Sequence, residues 1–538
     1  MRLLSPTTLQ SIRLAPLPVR LLQKLLLLTL LMLTLGACQS GSDTNTTDPL
    51  EEADVASLQA AMNAGELTAV ALVTHYQQRI AALDPQLHAI LELNPDALDI
   101  ARVLDAERAA GQVRSPLHGI PVLLKDNIDT ADNMHTTAGS LALLDAPTPA
   151  RDAFLVQRLR DAGAVILGKT NMSEWANFRS TSASSGWSAR GGQTRNPYDF
   201  ERSPCGSSSG SAVAVAANLA VLAIGTETDG SIVCPAAHNS IVGLKPSLGL
   251  ISRVGIIPIA HSQDTAGPMT RSVSDAALLL NALVAADPED DITTNPHTRD
   301  PVDYTRYLQA DSLRGKRIGV MRQDFGQDPA LDALMEQQLT ILRTAGAELV
   351  DMGIRARNAF GTAETEVLLF EFKNDLNNYL YERGGPLQDL AALIDFNEAN
   401  ATIELADFGQ ELFLLAQEKG DLGDGEYLSA LGMSKALSQT NINSALQQME
   451  LDALVAPTNS VGWLVDPKGD NTEGYISNSS LAAVAGYPSI TVPAGYIDGF
   501  PIGISFIGGE FSEPQLLGMA FAYEQLTQVR QPPAGLER

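Results

Sequence analysis

The sequence predicts an α/β fold, a β-sheet covered by helices, and three observations predict it. Short apolar runs such as 164–168 follow segments whose apolar residues recur at helical spacing, here 153–162. Of the 538 residues, 45% are hydrophobic and 18% charged, the balance of a chain with a large core, which excludes a disordered one. No internal repeat and no break in composition marks a second domain.

The elements follow in order after the first fifty residues. Val55, Leu58 and Ala61, then Val70, Val73, Tyr76 and Ile80, give 51–83 a helical pattern that Gly65 divides into two helices. Residues 97–110 form another, closed by Gly111. The first buried strand is 119–124 and delivers Lys125; 164–168 is the second. Residues 186–202 are irregular over a length typical of a lid or pocket wall. Residues 212–223 contain no Pro or Gly and read as a buried helix running into a strand at 221–224. Residues 231–268 are punctuated by Gly and Pro, with Lys245 in a turn before Pro246. A helix at 274–286, an exposed acidic stretch at 287–304, a strand at 313–320 and a helix at 330–345 lead to 348–350. Helix 365–380 carries Glu366, Glu371, Lys373 and Asp375, which read as solvated charges. Helices at 406–415 and 441–449, strands at 454–458, 489–493 and 502–507, and a helix at 513–526 complete the chain.

The first 38 residues contain no acid and four basic residues, Arg2, Arg13, Arg20 and Lys24, before a Leu-rich run at 25–35 that is too short to span a bilayer. This predicts a signal peptide over 1–37. Leu35-Gly36-Ala37-Cys38 resembles a bacterial lipobox, which implies acylation of Cys38, a flexible tether over 38–50, and an exported lipoprotein anchored to the outer membrane and facing the periplasm. The net charge of −27 excludes nucleic acid and anionic lipid as partners and leaves the N-terminal lipid as the only membrane contact. Oligomeric state has no signature in the sequence.

The candidate chemistry lies in 204–235. Gly206-Ser207-Ser208-Ser209-Gly210-Ser211 and Thr228-Asp229-Gly230-Ser231 are small-residue turns on either side of the apolar 212–223 segment. Such turns expose backbone N–H groups that can hold an oxyanion, beside hydroxyls that can act as nucleophiles once a base takes their proton. A phosphate-binding loop is excluded, because no Lys follows Gly210. Gly206 to Gly210 matches G-x-S-x-G with Ser208 as nucleophile, yet the loop-like 195–204 precedes it where a strand is required. No His follows His297, so the late His of that triad is missing. His238 and His261 lie too close after Ser231 to be assigned as its partners. Lys125 is the alternative base: at the end of a buried strand it is desolvated, which lowers its pKa. Taken alone, Lys125 favours the plainer reading of a strand-end lysine that reaches solvent or pairs with Asp126. Cys205 and Cys234 are a candidate disulfide or two buried thiols, and neither spacing suggests a metal.

Together these motifs resemble the amidase signature family. The resemblance rests on Gly119 to Asp126 (G-x-P-x-x-x-K-D), on the Gly206–Ser211 run and on Gly225 to Ser231 (G-T-[DE]-x-x-G-S), and it runs from about residue 58 to 526. Ser209 departs from the Gly common at that position. Arg202 to Ser207 and Gly225 to Ile232 are most similar to bacterial peptide amidases. The resemblance implies one large domain over 51–538, with a central mixed sheet covered by helices on both faces. It implies a triad of Lys125, Ser207 and Ser231, with Ser231 the nucleophile, Ser207 in a cis peptide bond, and Ser208 supporting. Thr228, Asp229 and Gly230 would form the oxyanion hole with Ser231. No metal and no organic cofactor are expected. The expected reaction is hydrolysis of a carboxylic amide through acyl-Ser231, releasing ammonia from C-terminally amidated peptides or a similar small amide. The alternatives are an esterase or arylamidase with the same triad, a glutamine-amidotransferase A-type subunit, and a non-catalytic lipoprotein.

Overall fold

The fold is built on one eleven-stranded sheet. The computed structural model describes Asp48, residues 50–354 and residues 360–536. The strands of the sheet are β1 (Ile90–Leu93), β2 (Pro121–Lys125), β3 (Val165–Thr170), β6 (Leu222–Glu227), β7 (Val242–Lys245), β8 (Thr265–Thr270), β9 (Arg317–Met321), β10 (Glu348–Met352), β11 (Ala453–Pro457), β12 (Ser489–Ile497) and β13 (Phe500–Ile507). Two short strands, β4 (Trp187–Ser188) and β5 (Gly192–Gln193), pair separately. The order in the large sheet is β1-β3-β2-β6-β8-β7-β12-β13-β11-β9-β10. β3, β2 and β6 run parallel, as do β11, β9 and β10, and the strands between them are antiparallel. The sheet is therefore mixed, and helices flank it, as expected.

Burial explains which runs became strands. Every residue of β2, β3, β6, β7, β8 and β11 is buried, as in a sheet covered on both faces. Such strands show no polar–apolar alternation, and the charged residues they carry (Lys125, Lys169, Glu227 and Lys245) lie at or near their C-terminal ends.

Several boundaries differ from the expectations. The buried helix is Ser209–Ala216, shorter than expected, because Asn218 takes φ 56° and turns the chain toward β6. The Gly/Pro-punctuated 231–268 segment, for which no strand was expected, contains β7 and most of β8: Gly243, Gly267 and Pro268 sit inside paired strands. Gly267 lies against the Leu244 carbonyl, where a side chain has no room. Lys245 ends β7 and is buried, not held in a turn. Helix Gly425–Gln448 is far longer than the 441–449 expectation, and helix Leu390–Ala399 was not foreseen. Glu371, expected in solvent, is fully buried and accepts from the Tyr427 hydroxyl at 2.7 Å. Cys38 and the apolar leader lie outside the described residues.

Candidate active site

Lys125 stands at the last position of β2, and Thr226 occupies the neighbouring β6 strand. The Lys125 ammonium donates to Ser207 Oγ at 2.7 Å, Thr226 Oγ1 at 2.9 Å and the Thr226 carbonyl at 3.1 Å. These three bonds use all its donors. Asp126 does not pair with it: its carboxylate takes the Thr137 and Gly139 N–H groups and Arg190. Burial lowers the Lys125 pKa to about 7, while Asp264 and Glu227 pull the other way. Near neutral pH the amine is therefore available without its proton.

The two serine turns are tied together. The Ser208 N–H donates to the Ser231 carbonyl at 3.1 Å, and the Ser173 N–H donates to the Ser207 carbonyl at 3.1 Å. The Gly206–Ser207 peptide is cis, as the resemblance implied. The disulfide Cys205–Cys234 joins the segments carrying the turns, which answers the question the sequence left open. Ser208 Oγ donates to the Thr226 carbonyl at 3.1 Å and accepts from the Thr226 N–H at 3.2 Å, so its hydroxyl is committed to β6. Exposure separates the serines further: Ser207 and Ser208 are 0% exposed, Ser231 8%. Ser231 thus keeps the greatest exposure of the three.

The second turn presents its backbone. Among the described hydrogen bonds, none has the N–H of Thr228, Asp229, Gly230 or Ser231 as donor. The next two N–H groups, of Ile232 and Val233, donate to Glu227 Oε2 at 2.7 and 3.0 Å. Glu227 thus anchors the turn through the two N–H groups that follow it. Gly230 at φ 80° allows this path, which a side chain there would strain. On its other side, Thr228 Oγ1 donates to Asp264 Oδ1 at 2.5 Å, and Gln263 Nε2 donates to the Thr228 carbonyl at 3.2 Å and to Glu364 Oε1 at 3.0 Å. Burial, then the Asp229 carboxylate, raises the Glu364 pKa to about 8.

Two openings flank this arrangement. A cavity of about 360 Å³ is bounded by Asn127, Thr226, Thr228, His261, Asp375 and Tyr379. A cleft of about 770 Å³ is lined by Phe360, Glu364, Tyr475, Ile476 and Ser477.

Comparison with known proteins decides the family. The model of the family described as Amidase matches residues 71–517. The chain belongs to the amidase signature family. It is an amidase, a hydrolase of amide bonds. The native peptide amidase of Stenotrophomonas maltophilia superposes with a TM-score of 0.86 at 54% identity, over 91% of this chain and all (100%) of that one. A probable amidase of Arabidopsis thaliana is 43% identical over 91% of this chain and 93% of its own length. A Schizosaccharomyces pombe protein also named as an amidase is 36% identical over 91% of this chain and 90% of its own.

These amidase relatives correct the localisation expectation. Plant and fungal proteins align over nearly the whole chain, so the enzyme is not tied to a bacterial envelope, and the outer-membrane lipoprotein assignment is withdrawn. That assignment rested on the basic, Leu-rich leader and on the four-residue lipobox resemblance at 35–38, a pattern too short to specify a membrane. Among the described residues, no helix is long and apolar enough to cross a membrane.

The structure adds residues that motif reading passed over. Thr226 and Glu227 lie inside the G-T-[DE] motif, where their roles as the lysine anchor and the turn anchor have no signature beyond the motif. Gln263 and Asp264 belong to 262–268, a segment that resembles one packed around the site in the family, and they do reach the turn; Glu364 comes from a distant helix, which no spacing shows. Thr226→Val should keep the fold and remove one of the three Lys125 acceptors. A roughly tenfold to hundredfold fall in kcat with KM nearly unchanged is expected in steady-state kinetics.

Proposed function

We propose that this amidase releases ammonia from C-terminally amidated peptides through an acyl-Ser231 intermediate, with residues 51–538 as the catalytic unit. The observation that carries the mechanism is the 2.7 Å bond from the buried Lys125 amine to Ser207, one residue from the backbone link to Ser231. In this reading Ser231 Oγ attacks the amide carbonyl. Its proton passes to Ser207 as Ser207 passes its own to neutral Lys125. The N–H groups of Thr228, Asp229, Gly230 and Ser231 hold the oxyanion, where loss of one donor typically costs about 10²–10³ in rate. Lys125 returns the proton through Ser207 to the leaving nitrogen, and ammonia departs as the C–N bond breaks. Water then attacks the acyl-serine by the same proton route and regenerates Ser231. Ser208 keeps β6 in register with the first turn.

The peptide-amide substrate is supported by the 54% identity to the Stenotrophomonas maltophilia peptide amidase over the full length of that chain. The test is ammonia release from a C-terminally amidated dipeptide, run beside an aryl amide and an ester of the same acyl group. Ammonia from the dipeptide amide at the highest kcat/KM is expected. Turnover of only the aryl amide or the ester would retain the mechanism and overturn the substrate.

A further inference from the structure

Behind the two serine turns, the disulfide sulfurs of Cys205 and Cys234 and a ring nitrogen of His238 all lie within 4.8 Å of one another, and all three residues are buried. The imidazole is held in one tautomer. His238 Nδ1 lies 2.9 Å from the Ser203 carbonyl, which can only accept, so the ring proton sits on Nδ1 and Nε2 carries a lone pair. A ring N–H fixed on a backbone carbonyl is the usual support of a metal-binding histidine. Nε2 is 2.8 Å from the Tyr475 hydroxyl, and Cys234 Sγ is 3.2 Å from the same oxygen, so both converge on one point. The surroundings are aromatic: Trp463 and Phe500 lie 5.5 and 5.0 Å from the imidazole centroid. Tyr475 and Trp463 also line a cleft of about 680 Å³, which gives a route inward.

We propose that opening this disulfide converts Cys205, Cys234 and His238 into a site for a soft divalent cation such as Zn²⁺, with the Tyr475 oxygen beside the fourth position. A dithiol reductant supplies two electrons and two protons, giving two cysteine thiols and leaving as its own disulfide. The cation then displaces one proton from each thiol to solvent and binds two thiolates and a neutral imidazole. The two thiolates cancel the double charge, so the site needs no further charged group in its buried shell. With Zn–S bonds of about 2.3 Å the sulfurs stand roughly 3.8 Å apart. Ser207 and Ser231 lie two and three residues from these cysteines on the same segments.

The test uses the full chain, reduced with dithiothreitol, desalted without air and titrated with Co²⁺, with far-UV circular dichroism recorded on each form. The reduced protein should bind one equivalent, with an intense thiolate-to-cobalt band that Zn²⁺ bleaches, while the disulfide form shows none. Cys205→Ser should lose the band, and His238→Gln should weaken binding at least tenfold while keeping the folded spectrum. The proposal is overturned by a folded reduced protein without the band, by equal binding in Cys205→Ser or His238→Gln, or by binding only after the circular dichroism is lost. All these readouts are independent of amide hydrolysis.

Discussion

Ser231→Ala is expected to abolish ammonia release, with a fall in kcat of about 10⁴-fold or more, the scale seen when a nucleophile acting in a concerted triad is removed. Ser208→Ala is the matched control. It leaves the Thr226 N–H without its partner inside a buried strand, so it costs stability of about 1–3 kcal/mol and a modest part of the rate. The contrast follows from geometry: Ser208 spends its hydroxyl on both backbone groups of Thr226 and is 0% exposed, whereas Ser231 keeps 8% exposure in a turn whose N–H groups donate in none of the described hydrogen bonds. Steady-state ammonia assays on both variants check it. A dead Ser208→Ala beside an active Ser231→Ala would reverse the assignment.

Lys125→Ala should lower kcat/KM by about 10²–10⁴, the range of a lost general base. The pH dependence gives the sharper result. The base works only unprotonated, and burial places its pKa near 7, so wild-type kcat/KM should rise with pH through about 7 and then level. Asp264 and Glu364, raised by burial to about 6 and about 8, also titrate nearby. The residual activity of Lys125→Ala isolates the lysine: its limb near pH 7 must disappear. Lys125→Arg should be equally inactive, because a guanidinium stays charged throughout this range. An unchanged acid limb in Lys125→Ala would remove the lysine from the proton path.

Much of the site was legible because it sits in short motifs. Lys125 ends an uninterrupted apolar run, and both serine turns announce themselves by glycine. The strands at 121–125, 165–170 and 500–507 were legible for the same reason, as continuous apolar runs between helical patterns. What stayed hidden has a physical cause. β7 and β8 interrupt their apolar residues with Gly, Pro, Thr and Lys, which read as loop, and they hold as strands because neighbours on both sides bury and bond them. Glu371 read as a surface charge because a helical pattern cannot show that the Ser262 N–H and Tyr427 close over it. Glu364 and Gln263 meet beside the 228–231 turn although they lie 101 residues apart in sequence. The disulfide was a coin-toss in the sequence, since two cysteines at that separation specify no distance.

The most direct measurement is to quench the enzyme in acid during turnover of an activated ester and find the acyl group by mass spectrometry with fragment-ion sequencing. Fragment resolution is required because Ser207, Ser208 and Ser231 share the stretch between Arg202 and Lys245. An acyl mass on Ser231, absent from Ser231→Ala, is the predicted result. An acyl mass on Ser207 or Ser208, persisting in Ser231→Ala, would contradict the account.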